Sequence, residues 1–153
     1  MSETAIVRKL TPADIEPAAA LLHALNPEMP ADLARERLDA VLADHPHYQL
    51  VGAFLGAKLV GVSGAWIATK IWCGRYLEID NLVVDADYRS AGIGSQLIRH
   101  LEALGRELDC KILVLDSYTS NHASHRLYHR LGFEIWGFHF IKPIGNWSGK
   151  PGE

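Results

Sequence analysis

Leu82-Val83-Val84-Asp85-Ala86-Asp87-Tyr88-Arg89-Ser90-Ala91-Gly92-Ile93-Gly94 joins a β-rich apolar run that closes at Val84 to a helical pattern that opens near Ile93. Gly92 and Gly94, at alternate positions, let the backbone turn tightly and bring its N–H groups close to an anion. The helix that follows directs the positive end of its dipole at the same point, and Arg89 adds a full charge at the rim. Glycines before a helix are also common punctuation, so on local chemistry alone the loop reads equally as a phosphate cradle or as a plain turn.

The sequence on either side narrows that choice. Upstream, Tyr48 to Leu55, Lys58 to Ala68 and Arg75 to Val84 are β-rich runs separated by glycine-containing turns, the first being Gly56-Ala57, and read as consecutive antiparallel strands. Downstream, Ile93, Leu97, Ile98, Leu101 and Leu104 mark one face of an amphipathic helix ending near Asp109. Lys111 to Leu115 is then a short buried strand, which the intervening helix allows to lie parallel to the run ending at Val84 or to splay from it. Asn121 caps a helix to Leu131, closed by Gly132, and Phe133 to Trp136 and Phe138 to Ile141 read as two last strands. At the other end, Ala5 to Leu10 suits an opening strand, and Thr11-Pro12-Ala13-Asp14 supplies an N-cap with proline at the first helical position. Ile15, Ala18, Ala19, Leu22 and Leu25 recur at helical spacing up to Asn26-Pro27, and a second helix runs from about Ala31 to Ala43. Paired helices here are placed to lid a site.

Composition bounds the class. The 153 residues suit one domain over 1–145, with a glycine- and proline-rich irregular tail over 146–153. Hydrophobic residues at 48% and charged residues at 22% are ordinary for a soluble globular protein. No apolar run approaches bilayer-spanning length, and the N-terminus lacks the basic-then-apolar pattern of a secretory signal. Cys73 and Cys110 have neither ligand-like nor disulfide-like spacing, so a cytoplasmic setting with no membrane partner is expected. A formal net charge of −3 gives no footprint for nucleic acid and suits a cationic substrate modestly.

The order of these elements, together with two separated motifs, resembles the GNAT superfamily of N-acetyltransferases over nearly the whole chain. Leu82 to Gly94 is similar to that family's strand, loop and [Arg/Gln]-x-x-Gly-x-[Gly/Ala] pyrophosphate site. Asn121-His122-Ala123-Ser124-His125-Arg126-Leu127-Tyr128-His129-Arg130-Leu131-Gly132-Phe133 is similar to its Asn-x-x-Ala-x-x-x-Tyr-x-x-x-Gly-Phe segment, with Ser124 where alanine is usual. The resemblance implies an α/β (α+β) GNAT fold: a mixed, mostly antiparallel sheet of about six to seven strands with about four helices, its central strands splayed at the cofactor site. It also implies acetyl-CoA as cosubstrate and an amine as acceptor.

Acetyl transfer from a thioester to an amine needs a bound cofactor, a neutral amine, help for the developing oxyanion and a proton for the departing thiolate. By resemblance, the pyrophosphate lies on Arg89, Ser90, Ala91, Gly92, Ile93, Gly94 and Ser95, and the pantetheine arm pairs with the backbone of Leu82, Val83 and Val84. An N–H near Leu82 then polarises the thioester carbonyl. Asn121 doubles as helix cap and pantetheine contact, with Ser124 beside it, and Tyr128 stands where the family carries the proton donor. An alkylamine arrives as an ammonium ion at neutral pH and must lose a proton. Glu78 and Asp80, alternating onto one face of a strand, match positions where family members carry the base, and their proximity is expected to push one pKa upward. Neither is privileged by the sequence.

Other candidates weigh less. His122, His125 and His129 share a helical face without a cysteine or carboxylate partner, so no metal is expected. Trp66, Trp72 and Trp136 read as core or dimer-interface residues rather than a substrate cage, which leaves a homodimer open. Asp116 and Tyr118 are placed at the acceptor groove, and neither cysteine has an activating partner. The alternative to transfer is a non-catalytic acyl-CoA-binding or sensor module, against which Tyr128, Glu78 and Asp80 argue. A dinucleotide-binding oxidoreductase fails on the missing third glycine. The acceptor, a small cationic amine or the amine of a peptide or protein, is not named by any motif.

Overall fold

β-rich segments with buried faces dominate the first two-thirds of the chain, and they assemble into a five-stranded sheet in sequential order. The strands are β1 (Ile6–Lys9), β2 (Tyr48–Leu55), β3 (Lys58–Lys70), β4 (Gly74–Val84) and β5 (Ile112–Leu115). The computed structural model describes residues 4–147, and the chain divides after Leu115 into two units. β1 to β4 pair antiparallel, and β5 lies parallel to β4. The β2–β3 hairpin closes on the two-residue turn Gly56-Ala57, where Gly56 takes the left-handed φ of +57° that such a turn requires.

β2 and β3 are apolar almost throughout because both faces of the sheet are covered. On one face lies α3 (Ile93–Glu107), whose Ile93, Leu97, Ile98 and Leu101 are buried. Its first turns press so closely on β3 that a Cβ at Gly61 would stand 3.0 Å from Ile93 Cγ2 and 3.1 Å from Leu97 Cδ1. On the other face α1 (Ile15–His23) and α2 (Ala31–Asp44) bury Ala18 and Leu38 against Tyr48, Leu50, Val62 and Val83. A 3-10 turn, Pro12–Asp14, leads into α1 through a capping box: the Thr11 N–H donates to Asp14 Oδ2 at 2.7 Å. Arg8 grips the same carboxylate with two hydrogen bonds, at 2.7 and 3.2 Å, and holds the Asp14 pKa far below the usual carboxylate range.

The second unit contains α4 (His122–Arg130), stopped by Gly132 at φ +94°. The two last strands expected at Phe133 to Trp136 and Phe138 to Ile141 are not formed: residues 133–147 hold neither helix nor strand, and the sheet has five strands rather than six or seven. Apolar content makes a strand only where a ladder partner and a face to bury against exist. Trp136, Phe138 and Phe140 instead remain 74%, 83% and 93% exposed. Of the tail expected over 146–153, residues 148–153 lie outside the described residues.

Candidate active site

β4 is irregular at one place. Its pairing with β3 runs through Trp66↔Glu78 and Gly64↔Asp80, then resumes at Val62↔Val83. Ser63 therefore faces both Asn81 and Leu82, which is a β-bulge, and Asn81 takes the left-handed φ of +55°. Asparagine tolerates that conformation better than other residues with a side chain. On the opposite edge of β4, the parallel ladder with β5 extends from Tyr76↔Ile112 only to Ile79↔Leu115. β5 ends there, so the backbone from Asp80 to Val84 has no strand partner on that side among the described residues. The splay expected between these strands thus begins beside the bulge, and it leaves the Leu82 to Val84 backbone without a ladder partner on that edge among the described residues.

Beyond Val84 the chain enters the glycine loop under tight control. Asp85 donates its N–H to Val60 O at 2.8 Å, and its carboxylate accepts from the Asp87 N–H at 3.0 Å, fixing a 3-10 turn at Ala86–Tyr88. Lys58 lies 4.8 Å from the Tyr88 ring centroid and 4.0 Å from Asp85. Ser90 and Gly92 both take left-handed φ values, +67° and +80°. The α3 bonding pattern starts with the Gln96 N–H donating to Gly92 O, so the amides of Ile93, Gly94 and Ser95 stand before it as unpaired first-turn donors. A Cβ placed at Gly92 would meet nothing within 4 Å, so the space beside these donors is open. Arg89, Ser90 and Ala91 are exposed around it. A helix N-terminus with free first-turn amides, an exposed arginine in the loop before it and glycine at its N-cap suits a diphosphate.

The candidate carboxylates share one face of β4, as their spacing requires, with Glu78 opposite Trp66 and Asp80 opposite Gly64. Asp80 is held by a neighbour the sequence does not reveal: the Trp66 indole N–H donates to its Oδ2 at 3.0 Å. Tyr48 crosses the same face, its ring lying where a Gly64 side chain would be. Burial, reinforced by the charge of Asp80, raises the Tyr48 phenol pKa well above its ordinary value, against a smaller opposite effect of a hydrogen bond with the Asn81 side chain. Tyr48 is thus a neutral phenol beside Asn81 and Asp80. Trp66 is half-buried, whereas Trp72 is 65% exposed.

The remaining candidates lie on α4. Asn121 Oδ1 accepts the Ser124 N–H at 3.4 Å, the cap expected of it. Tyr128 packs edge-on against Phe133 with ring centroids 5.9 Å apart. Burial raises its phenol pKa, and a hydrogen bond from Ser124 opposes that shift. His125 Nε2 donates to the Tyr118 carbonyl at 2.8 Å and His129 Nδ1 to the Phe133 carbonyl at 3.1 Å. Among the described residues no group of three or more His, Cys, Asp or Glu is arranged to hold a metal ion. Asp116, expected at an acceptor groove, pairs with His139 at 3.1 Å. Burial raises the Cys110 thiol pKa, which leaves it a poor nucleophile.

Asn81 and Trp66 are the informative residues that sequence reasoning left out of the site. An Asp80-Asn81 pair inside a β-rich run is a compositional oddity that signals a bulge. Trp66 carries no such signal, because its place opposite Glu78 depends on hairpin register.

Residues 18–133 match the model of the acetyltransferase (GNAT) family. The chain is 32% identical over 140 residues to the N-alpha-acetyltransferase RimI of Mycobacterium tuberculosis, covering 89% of this chain and 82% of that protein. It is 28% identical to the aminoalkylphosphonate N-acetyltransferase of Salmonella typhimurium, covering 90% of each. A solved structure of AAC(6')-Iy in complex with the bisubstrate analog CoA-S-monomethyl-acetylneamine superposes with a TM-score of 0.81 at 20% identity, over 94% of this chain and 99% of that one, a likeness of fold. With a bulged β4, unpaired on one edge beyond Ile79, leading into a helix terminus of free amides, and a family match across both motifs, the chain belongs to the acetyltransferase (GNAT) family and is an acetyl-CoA-dependent N-acetyltransferase.

Proposed function

We propose that this enzyme acetylates a primary amine, either a small cationic amine or the amine of a peptide or protein, by direct attack without a covalent enzyme intermediate. The observation that carries this reading is the single β4 face on which Glu78 and Asp80 precede the Asn81–Leu82 bulge. Residues 1–145 act as one catalytic domain, a view supported by a family match that runs unbroken from 18 to 133 across the division after Leu115.

Acetyl-CoA, when bound, supplies an activated acetyl thioester. Arg89 and the amides from Ser90 to Ser95 would hold its diphosphate, the backbone edge of Leu82, Val83 and Val84 that lacks a strand partner its pantetheine arm, and Asn121 and Ser124 would add contacts. The Leu82 N–H, at the bulge, serves as the carbonyl-polarising donor. Glu78 or Asp80 accepts the ammonium proton, directly or through one water. Asp80 has one oxygen anchored by Trp66, which orients the other. Tyr128 is the proton donor, and the upward shift of its phenol keeps that proton in place at neutral pH.

Glu78→Gln and Asp80→Asn, made separately, test the base. At least one should lower kcat by about 10²-fold and remove the acidic limb of the pH profile, with acetyl-CoA affinity retained. Full turnover in both variants, with an unchanged pH profile, removes the carboxylates from the chemistry.

A further inference from the structure

The same sheet face continues past the carboxylates into a cavity of about 230 Å³, lined by Asp44, His45, His47, Tyr48, Trp66 and Ile67 among others. Three rings meet there: the Tyr48 and Trp66 centroids are 4.6 Å apart and those of His45 and Trp66 5.0 Å apart, all edge-to-face. Edge-to-face packing leaves the π-face of one ring in each pair clear of its neighbour, and a π-face attracts a cation. Two carboxylates are near the rings, Asp44 in the lining and Asp80 on the indole N–H, and the lining itself holds no lysine or arginine. The neighbouring cations are engaged elsewhere. Arg75 donates to Leu108 O at 2.8 Å, and the Lys70 ammonium rests 4.8 Å from the centroid of Tyr76, itself on the Glu78 face. That last contact shows an aromatic ring of this face already holding an alkylammonium.

We propose that this aromatic cavity is a cation subsite, which receives a positively charged group of the acceptor other than the amine that is acetylated. This rests on the amine-acetylation reading and sharpens it: the preferred acceptors carry two cationic centres. The spacing follows from the strand. Trp66 is opposite Glu78, three residues before Asn81, so the subsite lies about 10 Å from the bulge at about 3.3 Å per residue. An extended diamine, or a peptide amine with a basic side chain nearby, spans that distance; a short monoamine reaches only one end. Gly64 is part of the arrangement, since any side chain there would displace the Tyr48 ring that forms one wall.

The test uses the full chain and a cation that cannot be acetylated. Choline and its uncharged carbon analogue 3,3-dimethylbutan-1-ol are compared by calorimetry without acetyl-CoA. Wild type and Trp66→Phe should bind choline about tenfold more tightly than the neutral analogue, and Trp66→Leu should lose the preference while acetyl-CoA affinity stays within about twofold. The Trp66 indole N–H resonance, assigned by its absence in Trp66→Phe, should move on choline addition, a readout that stands even if Trp66→Leu fails to fold. No preference in wild type, a preference kept by Trp66→Leu, or a stationary indole resonance would overturn the subsite. The outcome is separable from that of the transfer reading. Choline bound at Trp66 by a chain that acetylates no amine keeps the subsite and discards transfer, and amine-dependent turnover without choline preference does the reverse.

Discussion

Gly92 meets two demands that a larger residue cannot meet together. Its φ of +80° is strained for any side chain, and it stands directly before the first-turn α3 amides, where a branched side chain would crowd an anion bound on them. Gly92→Val should therefore raise the acetyl-CoA Kd by at least about tenfold with the far-UV spectrum unchanged, as calorimetry would show; an unchanged Kd would remove the cradle. Tyr128 invites a different measurement. Tyr128→Phe keeps the packing against Phe133, so kcat should fall by about 10²-fold with little change in cofactor affinity. Because burial raises that phenol's pKa, the wild-type profile should show no loss from this group below the ordinary tyrosine value of about 10. Gly92 and Asn121 are legible from sequence, since loop glycines and helix caps act locally. Trp66 and Tyr48 are not, because their meeting with Asp80 is created by strand register.

Elements decide whether those residues are held still. α3 carries the cradle, and its seat on β3 depends on Gly61, where an added side chain would press on Ile93 and Leu97. Gly61→Val should cost about 1–3 kcal/mol through overpacking, lower the Tm, and weaken acetyl-CoA binding by tilting the helix terminus. A variant with unaltered Tm would show that α3 shifts freely. At the start of α1, Arg8 and the Thr11 N–H depress the Asp14 pKa, so this carboxylate stabilises the fold above the usual carboxylate range and loses that effect as pH falls through its depressed value. Asp14→Asn should accordingly flatten part of the acid dependence of Tm and leave neutral-pH turnover unchanged. Helical and strand periodicity make most elements readable, from the Gly56-Ala57 hairpin to α3. They fail at residues 133–141, where the same apolar pattern has no ladder partner and Ile135, Trp136, Phe138, Phe140 and Ile141 stay exposed.

For the whole molecule, the pattern of charge bears more on the acceptor than its total. A net charge of −3 is small, but Glu78 and Asp80 concentrate negative charge on the one sheet face that also carries Tyr48, Trp66 and Tyr76. No helix among the described residues is long and apolar enough to cross a membrane. The family was readable because its two motifs are short, local and correctly ordered, whereas the proposed acceptor surface depends on strand register, which brings Tyr48 and Trp66 to Asp80 and which no single stretch of sequence announces. Thiol release from acetyl-CoA, followed across a panel of monoamines, diamines and peptide amines, tests transfer to an amine most directly. Release should require the amine and fall about 10²-fold in Tyr128→Phe. Tight acetyl-CoA binding with no amine-dependent release across the panel would contradict transfer to an amine.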